Sequence, residues 1–439
     1  MSFEREDVKT PGRFFLRVFA LLSQILDASG RSTIAVVLLA VSPGVLFAEW
    51  PTYHGGTGLT GFSVTPLPDQ PALLWRVNTG GAVDSTPVSD GERIFFSARK
   101  GQVVALDLKG ASLWKKSFTR INSAGQEMPL RFDAPLVCAD DLVFAGASRG
   151  TLLALDAATG AEHWRYETDG IFIGSPNFIQ CGAELDRKDA KTQSEDNGRV
   201  FTSSSQTFDT SDGVKNSAVV VFDQSEGSLH CIDMKTGERL WKTEGVERCD
   251  GSPGASDGRI VFGSCLSALH VYSTADGSHL KDIEIGTDAQ VAGGVAVDGN
   301  FAFAGARDGS LLCADLEQGE LIWVSHESED QTFSTPALSS SRVVYSSDDG
   351  FVYALNREDG ERIWKFDTAG LPTSPVVAKD TVAVSADGLL FLLNLADGTK
   401  IWSKEISDEI TSPALVNGMI IVGADDGTVS VWGENLNIP

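Results

Sequence analysis

The chain has 439 residues, with 60 acidic and 35 basic side chains and a formal charge of -25. This acidic excess, with no basic stripe to offset it, favours solubility and excludes nucleic acid as a partner, because phosphates need basic neutralisation. A hydrophobic content of 42% is ample for a core, and 45 glycines suit a turn-rich β protein.

Residues 1–48 read as a signal peptide or N-terminal membrane anchor. Ser32 to Ala48 is a short apolar run after Arg31, near the length of a signal h-region and short for a membrane span. Residues 14–27 are also apolar, so the n-region is unusually long. Cleavage after Ala48, an uncleaved anchor and a start site placed too far upstream are the alternatives. Leu46 occupies a position that prefers a small residue. No later stretch is long enough to span a bilayer, so membrane contact is expected only through this segment. The first cysteine is Cys138, which leaves none near the cleavage position for lipid attachment. Residues 49–439 are expected to be one exported domain, periplasmic or extracellular.

Next comes Leu73-Leu74-Trp75-Arg76, a strand-like piece that belongs to no unit of its own. From there one phrase recurs. It runs from Gly150 to Trp164, Gly227 to Trp241, Gly309 to Trp323, Gly350 to Trp364 and Gly388 to Trp402. The tryptophans give the period: 39 residues from Trp75 to Trp114, 41 from Trp323 to Trp364 and 38 from Trp364 to Trp402. Trp241 to Trp323 is 82 residues, two units with one tryptophan missing, and Leu280 is assigned to the vacant slot. A period near 40 with several short strands per unit marks propeller blades.

Each unit opens at Ser/Thr-Pro: Thr86-Pro87, Ser175-Pro176, Ser252-Pro253, Thr335-Pro336, Ser374-Pro375 and Ser412-Pro413. Ala134-Pro135 and Gly293-Gly294 hold that slot in the second and fifth units. Proline suits a strand's first residue because it cannot donate to the ladder. Turns such as Asp90-Gly91, Asp257-Gly258 and Asp308-Gly309 separate the strands, because Asp-Gly tolerates positive φ. The same turn chemistry accounts for Asp348-Asp349-Gly350 and Asp425-Asp426-Gly427, which lack the further oxygens of a calcium loop. In the third unit a polar segment is inserted at about 180–217, with an extra strand expected at Arg199–Thr202.

The eighth unit stops after Trp432 with no fourth strand, so Leu73–Arg76 is expected to supply it. The fold class is therefore all-β. It is an eight-bladed β-propeller with four-stranded antiparallel blades, its ring closed by an N-terminal strand.

Trp75, Trp114, Trp164, Trp241, Trp323, Trp364 and Trp402 are expected to dock blade against blade. Six cysteines are compatible with an oxidising compartment, and no CxxC or CxxCH signals zinc or haem. Cys249 and Cys265 flank the Asp257-Gly258 hairpin, one residue out of register, so a bulge would let them form a disulfide. Cys231 and Cys313 share a third-strand slot and read as small core residues. His230 and His270 share another slot; a metal there would need further ligands, and Leu312 and Tyr353 hold the slot elsewhere. Asp84, Arg131, Asp133, Asp250, Gln290 and Gln331 precede or begin their innermost strands and are placed at the mouth of the central funnel. No catalytic or cofactor-binding set emerges, because no GxSxG, HExxH or phosphate loop is present.

The unit "Ser-Pro, Asp-Gly, aromatic-Ala-Leu-Asp, Thr-Gly, Trp" resembles the PQQ-like (quinoprotein alcohol dehydrogenase-like) β-propeller superfamily. Trp50-Pro51-Thr52-Tyr53-His54-Gly55 resembles the start of many of its exported members. The resemblance covers nearly all of residues 50–435 and implies two functions. Quinoprotein dehydrogenases hold PQQ and Ca²⁺ in the funnel under a vicinal disulfide, with an aspartate as base. This chain has no adjacent cysteines. The non-catalytic branch includes the propeller lipoprotein of the outer-membrane β-barrel assembly machinery, a protein-binding scaffold. The expectation is therefore a monomeric, non-enzymatic scaffold for protein or peptide, with PQQ and Ca²⁺ only under the oxidoreductase alternative. A carbohydrate- or polymer-binding propeller is the third.

Overall fold

The computed structural model describes residues 21–26, 32–37, 50–122, 124–181, 216–286 and 289–435. The chain divides into a unit ending at Phe47 and a second beginning at Ala48. In the first, Leu21–Leu26 pairs antiparallel with Ser32–Val37. The predicted strand at Arg199–Thr202 lies outside the described residues.

The second unit is a ring of eight antiparallel sheets. Blade 1 uses 88–89, 93–98, 102–107 and 112–117, and blade 2 uses 137–139, 142–147, 151–156 and 162–167. Blade 3 uses 177–181, 216–223, 228–233 and 239–242; blade 4 uses 254–256, 259–263, 268–273 and 279–284. Blade 5 uses 296–298, 301–305, 311–315 and 320–325, and blade 6 uses 337–338, 342–346, 351–356 and 362–367. Blade 7 uses 376–378, 381–386, 389–394 and 400–405. Blade 8 takes 414–416, 419–423 and 428–433 from the end of the chain and Ala72–Asn78 from its beginning. Val431 faces Trp75 across that last seam, so the ring has no open edge at its closure.

Local chemistry sets these elements. At the blade 4 hairpin, Asp257 and Gly258 have φ of 46° and 75°, the left-handed pair that a two-residue turn between twisted strands requires. Every third-to-fourth ladder carries a register shift beside the tryptophan slot, as between Ala154↔Trp164 and Leu155↔Glu162. A bulge of this kind bends the strand and re-aims its side chain.

The indoles span the blade seams. Trp75, Trp114, Trp164, Trp323 and Trp364 each donate Nε1–H to a carbonyl of the next blade: Leu108, Ala157, Met234, Arg357 and Leu395. Their rings lie flat on that blade's turn glycine; a Cβ on Gly160 would sit 2.5 Å from the Trp114 ring. Trp114, Trp323 and Trp364 are buried, whereas Trp75, Trp164, Trp241 and Trp402 are half-buried on the outer strands.

In blade 4 the slot is filled by Lys281, not by Leu280. The register Val271↔Lys281 matches Cys231↔Trp241 in the blade before. The Lys281 stem packs on Gly319, and its ammonium donates to Glu317 O at 2.7 Å. Thus an aliphatic stem with a cationic tip reproduces both contacts of an indole. The tryptophan period misplaced the slot by one residue because this blade's third-to-fourth connection is one residue longer.

The blade 3 ladder continues through Gln180↔Ser217 and Cys181↔Asn216, so the insertion proper is 182–215. Cys249 and Cys265 are unbridged, contrary to the expected disulfide. Their ladder ends at Gly254↔Val261, five residues before Cys249, and beyond it the chains separate. Cys249 turns into the core while Cys265 stays partly exposed.

Residues 50–63 cross one end of the propeller axis. Trp50 pairs with Ser89 of blade 1, and Pro51 O accepts from Cys138 N of blade 2. Thr57 O then accepts from Asn177 Nδ2 of blade 3 and Ala255 N of blade 4. Gly58, Thr60 and Gly61 carbonyls accept from Val297, Leu338 and Val377 of blades 5, 6 and 7. One short segment therefore ties together seven inner strands. His54, fully buried, places Nδ1 2.7 Å from Leu59 O and Nε2 2.8 Å from Pro375 O. Burial is the largest influence on this imidazole and holds its pKa below the ordinary value, although both carbonyls favour the charged ring. Tyr53 reaches across the axis to Thr335 Oγ1 at 2.6 Å.

Candidate functional site

The opposite end of the propeller carries the connections that lead into each first strand. A repeated backbone bond ties each connection to its own blade. The residue that ends the second strand donates N–H to a carbonyl in the connection. The donor–acceptor pairs are Arg99–Ala82, Ser148–Arg131, Gln224–Ile171, Cys265–Arg248, Arg307–Gln290, Asp348–Gln331, Asp387–Leu371 and Asp425–Glu409. All eight blades make it, so eight loops form one face of fixed register. Side chains two apart in an extended connection point the same way. The acceptor residue and the one two beyond it therefore present a pair of side chains per blade.

This register sorts the six residues expected at the funnel mouth. Arg131, Gln290 and Gln331 are acceptors, and Asp84, Asp133 and Asp250 lie two residues beyond acceptors. Asp84 pairs only with Arg99 of its own blade, at 2.9 Å, and Asp133 only with Arg131, at 2.6 Å. Asp250 is the meeting point. It accepts from Arg248 Nε at 2.8 Å, from Gln224 Nε2 of blade 3 and from Arg307 Nη2 of blade 5 at 3.4 Å. Arg307 also reaches Gln331 Oε1 of blade 6 at 3.4 Å and stacks on Phe333, 4.9 Å from the ring centre. Burial acts to raise the Asp250 carboxyl, but Arg248, Gln224 and Arg307 outweigh it and hold the pKa below the usual range. Asp250, Gln331 and, through its backbone, Gln290 thus join one network. Asp84 and the Arg131–Asp133 pair stand apart from it.

Arg307 and Gln224 escaped the sequence reading because a turn residue meets Asp250 only after two blades are folded side by side. The apolar members of the same slots were missed as well. Ile171 and Ile173 of blade 3 and Phe333 of blade 6 are more than one-third exposed, and Leu371 of blade 7 is 62% exposed. Leu266, in the blade 4 turn on this face, is 42% exposed. Aligned on the connections, isoleucine, phenylalanine and leucine stand where other blades carry charged or amide side chains, and that contrast was visible in the sequence. Exposed large apolar side chains gathered on one face mark an interaction surface.

Two further clusters bear on metal binding. Asp223, Glu226 and His230 of blade 3 each bring a ligand atom within 4.8 Å of the others, but Glu226 is already paired with the Lys242 ammonium. His230 bonds Tyr166 Oη at 2.8 Å and Ser228 Oγ at 3.1 Å; burial lowers its pKa to about 4, so the ring is neutral. His270 does not approach it; its partners are Asp282 and Ser264. Cys231 and Cys313 are wholly buried in separate blades.

The family model described as "Outer membrane protein assembly factor BamB" matches residues 99–180, 225–412 and 348–435. The Burkholderia pseudomallei protein of that name is 25% identical over 328 residues, which is 71% of this chain and 73% of the relative. The crystal structure of BamB from Moraxella catarrhalis superposes with a TM-score of 0.63 at 20% identity, covering 84% of this chain and 99% of that one. Quinohemoprotein alcohol dehydrogenase from Comamonas testosteroni superposes with a TM-score of 0.64 at 14% identity, covering 91% and 82%. These two likenesses show a shared fold.

Proposed function

The chain belongs to the PQQ-like repeat family described as outer membrane protein assembly factor BamB, and on that premise we propose that it is an exported, non-enzymatic scaffold that binds a protein partner in envelope protein assembly. The observation that carries this reading is the face built by the eight connections. It presents Ile171, Ile173, Leu266, Phe333 and Leu371 around the ion-paired Asp250–Arg307 network. Apolar anchors beside charges held in place suit a protein surface, where the anchors supply affinity and the charges register.

The alternative of a PQQ- and Ca²⁺-dependent oxidoreductase does not fit the residues. The six cysteines include no adjacent pair to cover the cofactor. The carboxylates at the mouth are each engaged by arginine, and Tyr53 and His54 fill the axis from the other end. The polymer-binding alternative has no observation in its favour.

The test is photocrosslinking from positions 173, 333 and 371 in cells producing the full chain, with position 109 of a blade-rim turn as control. Capture of outer-membrane assembly proteins from the face positions and not from 109 supports the scaffold. Equal labelling from all positions removes the assigned face. PQQ-dependent reduction of a dye by the purified protein with alcohols, abolished by EDTA, removes the non-enzymatic reading.

A further inference from the structure

We propose that Cys181 and Cys231 form a disulfide when the folded chain meets a disulfide oxidant. Their sulfur atoms are 3.4 Å apart, and both side chains belong to the buried core of blade 3. The contact is not a consequence of ladder register. Cys181 lies opposite Asn216 on the first hairpin, and Cys231 lies opposite Val220 on the third strand. They meet because the far end of the first hairpin bends across the face of its own blade.

Trp241 records the same bend. It belongs to the same core cluster as the two cysteines, and its indole N–H is buried without a hydrogen-bond partner. In five other blades that N–H reaches the neighbouring blade's carbonyl. The folded-over hairpin has therefore replaced a repeated contact of the propeller with a sulfur pair. Such a replacement is balanced only if the pair contributes something in return. A covalent link does so by restricting the unfolded chain across the 50 residues that separate the two cysteines.

The chemistry balances with a small-molecule disulfide as oxidant. The contact with Cys231 lowers the Cys181 thiol, and the same contact raises that of Cys231, so Cys181 is the first nucleophile. Its thiolate attacks oxidised glutathione and one glutathione leaves as thiolate. Cys231, losing its proton, then attacks Cys181 Sγ and the second glutathione leaves. Two electrons pass from the protein to glutathione, and the two protons end on the two glutathione thiols. The new bond would fix Cys181, the last described residue before the 182–215 insertion, to the third strand. The insertion would then spring from a root that cannot fray.

The experiment uses the full purified chain, reduced and folded, then equilibrated with oxidised and reduced glutathione. It is next denatured without reductant, alkylated with iodoacetamide, digested and weighed. The expected result is a peptide pair joined through Cys181 and Cys231, four alkylated cysteines of the six, and a melting temperature above that of the reduced form. Cys249→Ser should keep the link, while Cys181→Ser and Cys231→Ala should each abolish it. Six alkylated cysteines in the oxidised wild-type sample overturn the proposal. So does a dominant link between any other pair, including Cys249 and Cys265. The wild-type mass decides the matter even if a variant fails to fold.

Discussion

Replacing Trp364 with alanine measures what one blade seam is worth. The indole is 7% exposed and lies between blades 6 and 7 in a cluster with Val352, Val382, Val384, Phe391 and Leu393. Its edge rests on Gly398, where a Cβ would come within 2.6 Å, so no other side chain is placed to fill the void. Truncating a buried tryptophan to alanine costs about 3–5 kcal/mol. Losing the 2.9 Å bond to Leu395 O leaves a carbonyl short of its donor and adds about 1 kcal/mol. We expect roughly 4–5 kcal/mol in total, read from the urea midpoint by far-UV circular dichroism, with the slope checked for constancy. Trp364→Lys should recover about half of that loss, because Lys281 already makes the stem-on-glycine and ammonium-to-carbonyl contacts one seam away. A Trp364→Ala cost below about 1 kcal/mol would refute the docking argument. A lysine variant as unstable as the alanine variant would refute the equivalence of Lys281.

Three further outcomes follow from the same geometry. Leu371→Asp and Phe333→Asp should abolish capture of the protein partner while leaving the melting temperature within about 2 °C of wild type, since both side chains are exposed; a large drop in melting temperature would show them to be structural. Stability should fall on acidification. An unfolded imidazole near 6.5 binds a proton that folded His230 refuses until about pH 4, so its contribution is complete above pH 6.5 and lost as pH falls toward 4. The urea midpoint of His230→Gln should therefore vary less between pH 7 and 5 than that of wild type, and an unchanged slope counts against this assignment. A chain shortened to begin at residue 80 loses both the eighth blade's outer strand and the axial segment; it should show no cooperative unfolding transition, and a normal transition would contradict the closure.

Blade number, strand order and ring closure were legible because each repeat states its own punctuation. Ser-Pro marks where a donor is not needed, Asp-Gly marks left-handed turns, and the orphan Trp75 identifies the strand that the eighth blade lacks. Lys281 was not legible, because the slot was recognised by an aromatic ring and the structure uses the length of the side chain instead. The path of residues 50–63 left little trace because its links are mostly backbone carbonyls, which any residue supplies. Only the crowding of Trp50, Tyr53 and His54, all buried, hinted that the segment lies inside. At the candidate site, Asp250 was named from its position, yet its partners Gln224 and Arg307 come from other blades. Pairings of that sort depend on the rotation between blades, which no local pattern records.

The axial segment also sets the order in which the molecule can be completed. Residues 50–63 are made before any blade, yet His54 finds its acceptor at Pro375, 321 residues later, and Val377 finds Gly61. Loop closure over such separations is slow, and it gives nothing back until the distant strands exist. The chain's opening must therefore wait, unsatisfied, while at least seven blades assemble, and then lock in one late step with the eighth blade's borrowed strand. A nascent or translocating chain would carry Trp50 and Tyr53 uncovered throughout that interval, the kind of surface that folding helpers retain. Once seated, the same segment makes release of any one blade costly to the others, because a single thread runs through seven of them.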